Sequence, residues 1–63
     1  MTLTRLFAEA TDNQKLCINA DGRRYSGYWY QDHMLDLHSR YKYHSADITV
    51  KTPELIVATI RRW

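Results

Sequence analysis

The 63 residues contain one cysteine, one proline and two glycines, and each scarcity excludes something. A lone Cys17 cannot close an internal disulfide, so the chain lacks the framework of a small secreted scaffold and suits a reducing compartment. Gly22 and Gly27 are too few for a glycine-rich phosphate cradle, and no Walker-type lysine follows them. No nucleotide or other cofactor is therefore expected. No apolar run approaches the roughly 18 residues of a membrane span. Near the start, Glu9 interrupts the only stretch that resembles the core of a signal peptide. These absences predict a cytoplasmic protein without membrane association. Internal repeats, low-complexity segments and flexible linkers are also missing, which leaves a single domain over residues 1–63. Nor does one sign of charge dominate. Nine basic against seven acidic residues give +2, a weak lure for a polyanion.

Aromatic residues are what the chain does have: five tyrosines, two tryptophans and a phenylalanine. Such rings remove much area from water, and a domain this short needs them, because it buries only about 60% of its unfolded surface. Assembly into a homodimer would bury more.

The clearest local signal is Asp21-Gly22 between two stretches able to pair, Lys15–Ala20 and Arg23–Tyr30. A two-residue hairpin turn wants positive φ at both central positions, which aspartate and glycine tolerate. That register sets Ile18 opposite Tyr25 and Leu16 opposite Gly27. One face then carries Leu16, Ile18, Ala20, Tyr25, Gly27 and Trp29. The other carries Lys15, Cys17, Asn19, Arg24, Ser26, Tyr28 and Tyr30.

Upstream, Leu3, Leu6, Phe7 and Ala10 recur at helical spacing, so Thr2–Thr11 reads as a short helix with Thr2 as its cap. Downstream, Met34–Tyr43 alternates with a period of two: Leu35, Leu37, Ser39, Tyr41 and Tyr43 on one side, Asp36, His38, Arg40, Lys42 and His44 on the other. This predicts a strand, although Tyr30, Met34, Leu37 and Tyr41 also lie on a helical stripe. A turn at His44–Asp47 would fold it onto a partner strand, with Tyr43 facing Ile48, Tyr41 facing Val50 and Arg40 facing Lys51. Thr52-Pro53-Glu54 looks like a helix start, and Ile56, Ile60 and Trp63 share one side of the helix that follows. The β-branched Ile56, Val57, Thr59 and Ile60 argue instead for a strand. The expected fold is α+β: a small antiparallel sheet of two hairpins, with a short N-terminal helix and a C-terminal helix on one face.

Candidate chemistry is sparse. His33, His38 and His44, with Asp32 and Asp36, match no zinc-binding spacing. Cys17 has no assured histidine or cationic neighbour to activate it, and no strand–turn–helix elbow presents a serine. No catalytic, metal-binding or cofactor-binding residue is therefore assigned, and the chain is not read as an enzyme. The best candidate surface is the polar sheet face, with Arg24, Tyr28, Tyr30, His38, Arg40, Lys42 and Lys51 as contact residues. Tyrosine and arginine dominate protein–protein hot spots, which points to a small binding or regulatory protein, such as an inhibitor, working by occlusion of a protein partner. The same residues could stack bases and contact phosphates, so RNA or single-stranded DNA is the alternative partner.

Overall fold

The computed structural model describes residues 1–61. The expected packing of Trp63 lies outside the described residues. Two helices and four strands follow in the order α1 (Leu3–Glu9), β1 (Lys15–Ala20), β2 (Arg23–Gly27), α2 (Asp32–Tyr41), β3 (Ala46–Lys51) and β4 (Leu55–Ile60). The strands form one sheet in the order β2-β1-β4-β3. Each hairpin is antiparallel, and the two meet through a parallel pair, β1 with β4, at the centre. The expected α+β domain, with two helices and a four-stranded sheet of two hairpins, is what the chain forms. The parallel seam makes the sheet mixed rather than wholly antiparallel.

The first hairpin has the register expected from Asp21-Gly22, with Ile18 opposite Tyr25 and Leu16 opposite Gly27. Both turn residues adopt positive φ, 51° at Asp21 and 78° at Gly22. The N-terminal helix also forms, and the Thr2 hydroxyl accepts from the Arg5 amide at 3.3 Å. Alternation along β1 and β4 sends Leu16, Ile18, Ala20, Ile56, Ala58 and Ile60 to one side of the sheet. There they share a single core with Leu3, Leu6 and Phe7 of α1 and Met34 and Leu37 of α2.

Two elements differ from expectation. Residues 32–41 form a helix, not a strand. The helical stripe outweighs the alternation because Met34 and Leu37 reach the core fully and Tyr41 partly. Asp32 stands in the first turn and His38 and Arg40 in the last, the charge order a helix dipole favours. Asp36 and Arg40 add an i,i+4 pair at 3.1 Å. The tyrosine-rich composition was a weaker guide than these helix-specific spacings.

Residues 55–60 form a strand, not part of a C-terminal helix. Thr52 does accept from nearby amides, Glu54 at 3.3 Å and Leu55 at 3.0 Å, but in a hairpin turn rather than a helix start. The Thr52 amide also donates to the Leu55 carbonyl at 2.8 Å. The β-branched run beyond it then pairs with β3. The second hairpin is thus β3–β4, and the expected pairing of Tyr43 with Ile48 and Tyr41 with Val50 does not occur.

Gln14 holds the connections together. It is 5% exposed, and its side-chain oxygen accepts from the Thr11 amide at 3.2 Å while its nitrogen donates to the Thr52 carbonyl at 2.6 Å. This amide bonds within its own loop, and it also joins the α1–β1 loop to the β3–β4 turn. Asp12 instead accepts from the Trp29 indole at 2.9 Å.

Candidate functional site

With both helices packed on one side, the other side of the sheet has no covering layer among the described residues. Strand pairing sets its residues in rows. One row runs Arg24, Asn19, Thr59, Asp47 from the β2 edge to the β3 edge. The next runs Ser26, Cys17, Val57, Val50. Lys15 and Leu55 stand side by side in a third. Val50 reaches this face because β3 carries a bulge: Ile48 pairs with Ala58, yet Val50 already pairs with Val57. The extra residue, Thr49, donates its hydroxyl to the Val57 carbonyl at 3.2 Å. A one-residue slip changes which face the following side chains occupy.

The middle of the face is apolar. Cys17, Leu55 and Val57 are half-buried, and Val50 is 41% exposed. Polar and charged groups surround them. Arg24 lies at the β2 edge with no ion pair among the described residues, while Asp47 at the β3 edge accepts from Arg61 at 2.9 Å. A hollow of about 610 Å³ opens at one end, lined by Asn19, Asp21, Gly22, Thr59 and Ile60.

The seven expected contact residues do not share this face. Arg24 lies on it. Tyr28 and Tyr30 follow β2, their rings 5.7 Å apart and nearly parallel at 7°. His38, Arg40 and Lys42 belong to α2 and its end, in the helical layer. His38 stacks on Phe7 at 4.8 Å, with Nε2 3.0 Å from the Thr4 hydroxyl. Arg40 is held by Asp36, and the Lys42 ammonium lies 5.1 Å above the Tyr43 ring. Lys51 stands at the end of β3 in register with Ile56, a core residue, so the bulge turns it away from the open face. The expected pairing of Arg40 with Lys51 is therefore absent. Asp32 and Asp36 move away with α2 as well, which removes two acids from the sheet surface.

The sequence reading missed the apolar centre. Leu55 and Val57 had been placed in a helix and Val50 in the core. Alternation along 55–60 carried the signal that would have found the first two.

Among the described residues, no three His, Cys, Asp or Glu side chains gather where they could hold one metal ion. His33 Nε2 instead lies 2.6 Å from the Ser26 carbonyl. It closes over Gly27, where φ is 148° and an added Cβ would lie 2.7 Å from that nitrogen. The space beside Gly27 is thus filled by His33 and Gln31. Tyr41 donates to Asp21 Oδ2 at 2.8 Å, and this bond holds its phenol above the usual range. No described helix is long and apolar enough to cross a membrane, which says nothing of crossings made by strands.

No protein-family model matches the chain, and no curated protein or solved structure shows significant similarity to it.

Proposed function

We propose that this chain is a protein-binding module whose contact surface is the open face of its sheet, acting as a small regulatory protein by occluding a surface of its partner. The observation that carries the reading is the apolar centre of Cys17, Leu55, Val57 and Val50 within a rim that includes Arg24, Lys15 and Asp47. An apolar middle with a polar rim is the usual anatomy of a protein interface. Arg24 adds a residue type prominent among binding hot spots.

The face is tested with Val57→Asp. This change places a charge in the apolar middle of a surface residue and leaves the core side chains untouched. A partner held by immobilised wild-type chain should be lost by this variant. Hydrogen exchange on the complex should slow in β1 and β4 more than in α1 and α2. Undiminished capture by Val57→Asp, or protection confined to the helices, rejects the sheet as the contact surface.

Single-stranded nucleic acid is a second reading, favoured by the Tyr28–Tyr30 stack. Tyr30 is 49% exposed. A flat pair of rings suits stacking on a base. Binding of labelled RNA and DNA oligonucleotides would then weaken steeply with salt and fall with Tyr30→Ala. Absence of binding at low salt removes this reading.

A further inference from the structure

We infer that the partner seated on the open face is a second copy of this chain, packed sheet to sheet about a two-fold axis that runs along the strands. The inference rests on the protein-binding reading above and names its occupant.

The argument is one of symmetry and charge. A closed dimer uses the same patch twice, so the patch must complement itself. Arg24 and Asp47 lie at opposite edges of the sheet but in the same row, linked through Asn19 and Thr59. Rotation by half a turn about an axis parallel to the strands exchanges the edges and preserves the rows. The β2 edge of one copy then meets the β3 edge of the other, and each Arg24 faces the partner's Asp47. Arg61 Nε lies 2.9 Å from Oδ2 of that carboxylate, and a carboxylate has capacity for a second arginine. A two-fold axis across the strands would instead lay β2 on β2 and leave arginine and aspartate apart. Thus the charge pattern selects one arrangement.

The apolar residues agree with it. In the same rotation Cys17 of one copy faces Val57 of the other, and the Ser26 edge faces Val50. Aligned sheets pack about 10 Å apart. Strands about 4.8 Å apart, rising about 3.4 Å per residue, give the four-stranded face a footprint of roughly 19 by 20 Å. Two such faces cover about 760 Å² in total by that footprint, at the small end of interface sizes, so a weak dimer that forms only as the protein is concentrated is expected.

Sedimentation or native mass measurement should show a particle of twice 7.5 kDa appearing between about 1 and about 500 µM. Arg24→Asp alone and Asp47→Arg alone should each weaken association by at least about ten-fold, because like charges then meet twice. An equimolar mixture of the two variants should restore it, since each reversed edge now meets its opposite. Cys17 supplies a readout that needs no variant. It is the only thiol of the chain, and its labelling by a thiol reagent should slow as the wild-type protein is concentrated.

A chain that stays monomeric through this range overturns the inference, as does a dimer indifferent to both reversals. Either result leaves protein binding to be judged by loss of partner capture in Val57→Asp. Capture undiminished by that change would reject the wider reading as well.

Discussion

The two hairpins make the same shape by different means. The first turns on backbone conformation: Asp21 and Gly22 both take positive φ, and Tyr41 adds a bond to the Asp21 carboxylate. The second turns on side-chain bonds. Thr52 accepts from two amides with its hydroxyl, and its carbonyl accepts from buried Gln14. A turn encoded in residue type can be read from a dipeptide. One encoded in hydrogen bonds to residues far along the chain cannot. The comparison also predicts how each hairpin fails. The first should be sensitive to changes in allowed φ, the second to loss of a polar partner.

The largest effect is expected where conformation and crowding combine. Gly27→Ala forces a side chain into positive φ and against His33 and Gln31, displacing their bonds to Ser26 and Tyr28. A loss of about 2–4 kcal/mol is expected, read as a lower midpoint in denaturant. A change below about 0.5 kcal/mol would show that neither the strain nor the crowding matters. Gln14→Leu comes next. It leaves the Thr11 amide and the Thr52 carbonyl without their partner, at about 1–3 kcal/mol, and hydrogen exchange should quicken around 52–55 before the Asp21 turn.

The two turns can then be set directly against each other. Gly22→Ala meets no atom within 4 Å, so its cost is conformational only, about 1 kcal/mol. Thr52→Val keeps the shape and removes the hydroxyl that Glu54 and Leu55 bond, and should cost about 0.5–1 kcal/mol. Equal sensitivity of both turns to both kinds of change would erase the distinction.

The smallest effect is confined to alkaline solution. The bond to Asp21 raises the Tyr41 phenol in the folded chain, so the folded state keeps this proton after the unfolded chain has begun to lose it. The contribution is complete below the ordinary tyrosine range and disappears as pH rises through the raised folded value. Tyr41→Phe should remove this part of the alkaline decline, as measured by stability against pH. Subtracting its ultraviolet titration from that of wild type should reveal one late-titrating phenol. If all the tyrosines titrate together, Asp21 does not hold Tyr41 in solution.

This contrast explains what the sequence disclosed. The Asp21-Gly22 hairpin, its register and the capped helix at Leu3–Glu9 rest on neighbouring residues, and all were legible. The segment 32–41 satisfies two periods at once. What decides between them is the sheet, which needs Met34 and Leu37 on one side, and no local window contains that demand. At 52–60 the Thr-Pro-Glu signal is real chemistry used for another purpose: the hydroxyl caps a turn instead of a helix. The candidate face was half visible. Cys17, Asn19, Arg24 and Ser26 followed from the first hairpin's alternation. Val50 depended on a bulge that sequence pattern alone does not reveal, and His38, Arg40 and Lys42 were assigned to the wrong layer once their segment was read as a strand.

The parallel seam between β1 and β4 has a kinetic consequence. Its paired residues, such as Cys17 and Val57, are 40 positions apart, whereas each hairpin joins near neighbours. Closing so long a loop is slow and unrewarded until the core residues of both hairpins meet. Neither two-stranded ribbon is stable by itself in water. The seam between β1 and β4 is therefore expected to zip last. Amides in that seam should exchange only when the whole chain opens, while the outer strands can fray first.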